Sequence, residues 1–134
     1  MSEANKALIQ RWFEEVWNKG RAEAIEEMFA ADGIAHGLGD TVLDPSEYRE
    51  FYARFRGAFP DIVVTVEDMV AERDKVAARC RVSAKHTGDT LGFAATQSPV
   101  EFTGITIVRI ADGKIVEAWN NFDFMKMNKQ LGVL

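Results

Sequence analysis

The residues best suited to chemistry lie at the end of a strand-forming segment, residues 114–123. Trp119, Asn121 and Asp123 alternate there, and alternate residues of a strand project from the same face. An apolar pocket raises the pKa of a carboxyl group, which makes the carboxylate a better general base. Asp123 is therefore a candidate acid or base beside a substrate carbonyl, with Asn121 as a hydrogen-bond donor and Trp119 as a wall that excludes water. This holds if no bulge interrupts the strand. The alternatives are an Asp123 that caps the following turn, a core Trp119 and a solvated Asn121.

Five further side chains are candidates for the same pocket. His36 and His86 are the two histidines of the chain and are assigned to the catalytic group. Tyr48 and Tyr52 lie one helical turn apart, which would bring a hydroxyl into the cavity, and Trp17 belongs to the apolar stripe of the first helix. Each also has a structural interpretation, as a satisfied or exposed histidine or as a core aromatic with a polar tip. The histidines have no carboxylate at ligand spacing, so no metal site is expected. Proton transfer by Asp123 would need no cofactor, and none is expected.

The composition bounds the class of protein. The chain has 134 residues, of which 47% are hydrophobic and 28% charged, and this predicts one globular domain over 1–134. The net charge of −5 argues against nucleic acid and anionic membranes as partners. Cys80 is the single cysteine, so no internal disulfide can form. Its position inside an alternating strand predicts a small core residue rather than a nucleophile. No signal-peptide layout or membrane-spanning run is present, and a cytoplasmic location is expected.

Helical signals dominate the first half of the chain. A helix is predicted from Ser2 to about Asn18, and a second from Arg21 to Ala31. A short strand is expected within residues 33–42. The sequence Asp44-Pro45-Ser46-Glu47 has the composition of a capping box with proline in the first turn, and it predicts a helix to about Ala58.

The second half predicts strands. Ile62–Glu72 and Lys75–Thr87 flank a turn at residues 73–74, and a long hairpin closes at Asp112-Gly113. A polar loop covers residues 88–99, and an apolar tail of about one helical turn covers 124–134. Helices followed by antiparallel strands predict an α+β fold, with the helices packed on one face of a curved sheet and a cavity between the layers. Because the strands carry apolar residues on both faces, a homodimer through the sheet is expected.

A series of short motifs extends over nearly the whole chain in a consistent order. They are Asn5-Lys6, Glu14-Glu15-Val16-Trp17-Asn18, Ala30-Ala31-Asp32 before His36, Phe59-Pro60-Asp61-Ile62, His86-Thr87-Gly88, Phe102-Thr103-Gly104-Ile105, Asp112 to Glu117, Trp119, Asp123 and Gln130-Leu131-Gly132.

This pattern resembles the SnoaL-like polyketide cyclases, also called ester cyclases, of the superfamily of nuclear-transport-factor-2-like (NTF2-like, cystatin-like) proteins. The resemblance implies a cone-shaped α+β fold that encloses a pocket. It also implies that the position of Asp123 supplies the acid/base of an intramolecular aldol closure, without a cofactor, on a small ligand with carbonyl or aromatic character.

Two functions remain open at this point. The first is a cyclase or isomerase that uses a carboxylate on a polyketide or ester-like carbonyl compound. The second is a ligand-binding protein without catalysis, which is suggested by the strand facing Asp123. In that strand, Ile105 to Ile110, isoleucine and valine predominate, and Thr103 and Thr106 are the neutral polar residues nearby.

Overall fold

In the computed structural model, which describes residues 2–133, a layer of helices lies against one face of a five-stranded sheet. The elements in chain order are α1 (Ser2–Trp12), a π-helical segment (Phe13–Asn18), α2 (Ala24–Met28), β1 (Phe29–His36), α3 (Pro45–Ala58), β2 (Val63–Glu72), β3 (Lys75–Lys85), β4 (Pro99–Ala111), β5 (Lys114–Phe122) and α4 (Phe124–Leu131). The predicted α+β class is confirmed. Residues 1 and 134, the two ends of the predicted domain, lie outside the described part.

The strand order is β1-β5-β4-β3-β2, and the sheet is mixed. The pairs from β2 to β5 are antiparallel, as predicted, whereas β1 runs parallel to β5. The expectation of an entirely antiparallel sheet is therefore corrected at this edge. The strand also begins at Phe29, inside the region predicted as the second helix, because Phe29 pairs with Ile115 and is buried there.

The helix signals are confirmed where capping chemistry is explicit. Asp44 accepts a hydrogen bond from the backbone N–H of Glu47 at 2.8 Å, and the Glu47 carboxylate accepts one from the N–H of Asp44 at 2.9 Å. This reciprocal pair satisfies two amide groups that the first turn of α3 leaves free. The tail forms the eight-residue helix α4, which is longer than the single turn expected.

The first helix changes its winding before it ends. Its last turn, Phe13–Asn18, is π-helical, and Asn18 then binds β2. The Asn18 amide accepts from the N–H of Val64 at 2.6 Å and donates to the Val64 carbonyl at 3.0 Å. This two-bond clamp fixes the helical layer over the sheet and places Trp17 above the sheet interior.

The buried side chains lie between the two layers, while the opposite face of the sheet is exposed. None of the helices within residues 2–133 is long and apolar enough to cross a membrane. Within the same residues, no three His, Cys, Asp or Glu side chains are grouped so that they could hold a metal ion.

Candidate ligand-binding site

A cavity of about 70 Å³ lies between the helices and the sheet. Its walls are almost entirely apolar and come from α1, the π-helical segment, α3 and the inner faces of the strands. Five lining residues carry polar side-chain groups: Trp12, Trp17, Tyr48, Thr106 and Asn120. No Asp, Glu, His, Lys or Arg lines the cavity within the described residues. The site can therefore form hydrogen bonds with a ligand but offers it no charge.

Tyr48 and Trp17 form the polar part of the helical wall. The indole Nε1 of Trp17 donates to the Tyr48 hydroxyl oxygen at 3.2 Å, and both residues are buried. Burial raises the pKa of the Tyr48 hydroxyl, and the Trp17 hydrogen bond opposes this only in part. The phenol thus keeps its proton at ordinary pH. Because its oxygen already accepts from Trp17, its O–H remains as a donor toward the cavity.

Thr106 and Asn120 form the polar part of the sheet wall. They are direct partners across β4 and β5, which brings their side chains together on the inner face. Asn120 donates from its amide nitrogen to the backbone carbonyl of His36 at 3.0 Å. Thr106 is 2% exposed.

The cavity opens between the segment after β1, α3 and the start of α4. The apolar lining side chains that are only partly buried mark this opening, and they are Leu38, Phe51, Ala118, Phe122 and Phe124. Phe122 and Phe124 are stacked with ring centroids 6.4 Å apart. Ligand pockets for drug-sized molecules are commonly about 300–1,000 Å³. A ligand of that size therefore requires these mouth side chains to move outward.

A bulge in β5 reverses the predicted orientation of its polar residues. Arg109 pairs with Glu117 and Ile110 pairs with Ile115, so Val116 is an extra residue on β5. An extra residue shifts the alternation of faces by one position. Ala118, Asn120 and Phe122 therefore line the cavity.

Trp119, Asn121 and Asp123 consequently lie outside the cavity, and the prediction that they face it is wrong. Trp119 is on the outer sheet face, where its ring is stacked on His36 with centroids 5.6 Å apart. Asn121 and Asp123 are exposed. They border a second, more open pocket of about 430 Å³ on that outer face.

Asp123 has the structural role that the sequence left as its alternative. It is the N-cap residue of α4, and its carboxylate accepts from the backbone N–H of Lys126 at 3.0 Å. A carboxylate at this end of a helix also interacts favourably with the helix dipole. Asp123 is exposed and does not line the apolar cavity in which the sequence placed it.

The two histidines are in separate environments away from the cavity. His36 lies on the outer face, with its Nε2 2.8 Å from a carboxylate oxygen of Glu117. His86 is fully buried at the end of β3, where its Nδ1 accepts from the backbone N–H of Thr96 at 3.0 Å. Its ring also packs on Phe59 with centroids 5.4 Å apart. Neither histidine lines the cavity.

Tyr52 is buried but supports the helical layer. Its hydroxyl donates to the backbone carbonyl of Val16 at 2.8 Å, inside the π-helical segment.

Of the residues predicted from the sequence, the structure brings Trp17 and Tyr48 together in the cavity. Sequence reasoning missed Thr106 and Asn120 as lining residues. Both are polar residues among apolar neighbours, and this pattern could have indicated a site. Which face of the sheet Asn120 occupies, however, depends on the bulge in β5.

Comparisons with known proteins agree with this architecture. The family SnoaL-like polyketide cyclase matches residues 7–131. The structure of AclR from Streptomyces galilaeus, a candidate hydroxylase, superposes with a TM-score of 0.90 at 27% identity over 100% of this chain and 88% of that one. IdmH from Streptomyces antibioticus, a candidate polyketide cyclase, gives 0.84 at 32% identity over 96% and 99%.

A more distant structure shows the fold alone. A protein from Catenulispora acidiphila with a ketosteroid isomerase-like fold, in complex with trimethylamine, gives a TM-score of 0.78 at 19% identity over 95% of this chain and 93% of that one. No protein of curated function matches the sequence significantly. The chain belongs to the SnoaL-like polyketide cyclase family.

Proposed function

We propose that this protein binds a small, largely apolar carbonyl compound in the cavity between its layers, with the carbonyl oxygen held by the hydroxyl of Tyr48. The observation that carries the proposal is the hydrogen bond from Trp17 to Tyr48 in an otherwise apolar helical wall. This hydrogen bond occupies the oxygen of the protonated Tyr48 phenol and leaves its O–H free to donate. The adjacent space is apolar and suits an aromatic or alicyclic ring.

A buried hydroxyl with a free O–H is stabilised most by a ligand that accepts a hydrogen bond from it. An unpaired buried polar group costs about 1–3 kcal/mol, and a carbonyl oxygen that accepts from Tyr48 removes this cost. A carbonyl also becomes more electrophilic when it accepts a hydrogen bond, and an enolate oxygen at the same point is stabilised. The same contact thus supports binding and would support carbonyl chemistry.

The carboxylate mechanism is not part of this proposal. A general base must reach the proton that it removes within about 3 Å or through one water. The described cavity walls contain no carboxylate or imidazole, and Asp123 is an exposed helix cap. Ligand binding is therefore the better supported of the two functions that the sequence left open.

Ring closure is a second candidate, favoured by family membership and by the similarity to IdmH. A substrate already in its enol form needs no protein base. Its enol carbon would bond to a second carbonyl carbon, and the enol proton would end on the new alkoxide oxygen. In this reaction Tyr48 would stabilise the developing oxyanion, and the cavity would hold the two carbons together.

The test compares 2-acetonaphthone with 2-ethylnaphthalene, which has a similar body but no carbonyl. Both would be titrated into the wild-type protein and Tyr48→Phe, with binding followed by tryptophan fluorescence. Loss of a hydrogen bond worth about 0.5–1.5 kcal/mol should weaken binding of the ketone about two- to tenfold and leave the hydrocarbon unaffected.

Tyr52→Phe is the matched control, because its hydroxyl binds Val16 and does not line the cavity. It should bind both compounds as the wild type does. Equal affinity of Tyr48→Phe and wild type for the ketone would refute the role of Tyr48. Failure of the wild type to bind either compound would refute the proposed site.

A further inference from the structure

We infer that Leu38 limits the size of the ligand that the cavity admits, and that the segment carrying it, residues 37–42, moves as a lid over the cavity mouth. The inference rests on the proposed function and adds a specificity-determining residue to it. Because the cavity is small, each additional ring of a ligand must displace more of the mouth. The site should therefore prefer compact ketones to longer ones.

The lid segment, residues 37–42, follows β1 directly and lies outside the helices and strands. Both of its ends are fixed. Ala35 and Leu43, on either side of it, exchange two backbone hydrogen bonds of 2.9 Å. The Asn120 amide also donates to the backbone carbonyl of His36, immediately before the segment, at 3.0 Å. A loop whose ends are held together in this way can move as a unit about them.

Leu38 makes the contact that keeps the lid closed. Within the lid segment it alone is partly buried, and the other five residues are exposed. Its side chain lines the cavity and packs against the core. Outward movement of the segment therefore removes a single apolar side chain from its contacts. Segments with few buried apolar contacts are the ones that open most readily.

Two glycines on either side of Leu38 give the backbone its freedom. Gly37 has a φ of +85°, which glycine adopts readily, and a Cβ there would overlap the backbone oxygen of Asn120. This close approach fixes the point where the chain leaves β1. Gly39 differs, since a Cβ at that position would have no neighbouring atom within 4 Å. The chain can therefore move at Gly39 without a steric obstacle.

The aromatic side chains at the mouth are held more firmly than Leu38. Phe51 is stacked on Phe55 with ring centroids 5.5 Å apart, and Phe124 packs on Phe102 at 6.0 Å and on Phe122 at 6.4 Å. These mouth rings also belong to helices or to a strand, so they move by side-chain rotation. Leu38 can move with its backbone as well, which makes it the adjustable boundary of the cavity.

Closure of the lid over a bound ketone would exclude water from the Tyr48 hydroxyl. A hydrogen bond is electrostatically stronger in a dry site of low dielectric constant. A ring system that extends past the mouth keeps Leu38 displaced and loses this advantage. The lid therefore discriminates by ligand length, whereas Tyr48 discriminates by the presence of a carbonyl.

The first test compares 2-acetonaphthone with 2-acetylanthracene, which carries the same carbonyl on a body one ring longer. Leu38→Ala should improve the affinity for the longer ketone relative to the shorter one by about tenfold, the lower end of what one methylene decides in an apolar pocket. Val42→Ala is the matched control, because Val42 is an exposed apolar residue of the lid segment that does not line the cavity. It should keep the wild-type ratio.

The second test measures the movement by stopped-flow tryptophan fluorescence with 2-acetonaphthone. Gly39→Ala restricts the backbone without creating a contact. It should lower the association and dissociation rate constants together, about two- to fivefold, and leave the dissociation constant unchanged. Val42→Ala should leave both rate constants unchanged.

An unchanged affinity ratio in Leu38→Ala would overturn the role of Leu38, and unchanged rate constants in Gly39→Ala would overturn the lid. Either result leaves the carbonyl site at Tyr48 intact. Failure of the wild type to bind 2-acetonaphthone would overturn the proposed function together with the lid. The measurement on Gly39→Ala does not depend on how well Leu38→Ala folds.

Discussion

The indole nitrogen of Trp17 lies 3.2 Å from the hydroxyl oxygen of Tyr48, and this contact joins the π-helical segment to α3 at the wall of the cavity. It determines which hydrogen bond Tyr48 can offer a ligand, since the hydroxyl oxygen already accepts from Trp17 and the O–H is free to donate. The Asn18 clamp on Val64 holds the π-helical segment that carries Trp17. The polar wall is therefore preorganised before any ligand arrives.

Asp123→Asn should have little effect on either stability or ligand binding. Asparagine caps helices about as well as aspartate, so the free energy of unfolding should change by less than about 0.5 kcal/mol. Asp123→Ala removes the cap of α4 and should cost about 0.5–2 kcal/mol. Urea unfolding and 2-acetonaphthone titration of both variants would check this. A loss of binding in Asp123→Asn would show that the Asp123 carboxylate takes part in ligand binding.

The fold was predictable where the signal was local. The reciprocal bonds of Asp44 and Glu47 and the turn at Asp112-Gly113 both appear as the sequence indicated. The start of β1 at Phe29 did not follow from local preference. It results from parallel pairing with β5, which overrides the helical propensity of the preceding residues.

The site was less predictable because one residue decided which side chains face it. The bulge at Val116 has no distinctive residue, yet it moves Asn120 into the cavity and Asn121 out of it. An alternating pattern alone cannot show where such a shift occurs. Trp17 and Tyr48 were found because helical periodicity is not sensitive to strand register.

Because Glu117 forms an ion pair with His36, the free energy of unfolding should decrease at acid pH. The hydrogen bond from His36 lowers the pKa of the Glu117 carboxyl below its usual 4.5, with a further contribution from Arg109. A carboxyl whose pKa is lower in the folded state stabilises the fold above the unfolded pKa, and this stabilisation is lost as the pH falls through the folded value. Glu117→Gln should therefore show a flatter decline of stability below about pH 4.5.

Urea unfolding as a function of pH would measure this difference. Glu50→Gln is a suitable control, because Glu50 is exposed on α3 and forms no ion pair among the described residues. Parallel declines for Glu117→Gln and the wild type would contradict the assigned role.

The thiol of Cys80 should be unreactive in the folded protein. Cys80 is fully buried on β3, and burial raises the pKa of its thiol to about 11, with a smaller contribution from Glu67. Since the thiolate is the reactive form, iodoacetamide at pH 8 should label it only as fast as the protein unfolds. Mass spectrometry in buffer and in urea would compare the two rates. Rapid labelling in buffer would show that β3 opens locally.

The outer face of the sheet is the expected surface for a homodimer. A row of direct pairs crosses all five strands, and it consists of His36, Trp119, Ile107, Ala77 and Val70, of which the last four are apolar. Ile107 is 41% exposed and Val70 is 63% exposed. Exposed apolar rows of this kind are typical of protein interfaces.

Ile107→Lys places a charge at the centre of this row and should shift the protein from dimer to monomer in sedimentation equilibrium. Met125→Lys is the matched control, since Met125 is 63% exposed on α4, away from the row. It should remain dimeric. A wild-type monomer at micromolar concentration would refute the dimer.

A crystal structure with 2-acetonaphthone tests the central claim most directly. We predict that the naphthalene body lies between the helices and the sheet, with the mouth side chains Phe122 and Phe124 displaced outward. The ketone oxygen should lie within hydrogen-bond distance, about 3 Å, of the Tyr48 hydroxyl. A ligand seated on the outer face beside Asp123, or one in the cavity whose ketone points away from Tyr48, would contradict the account.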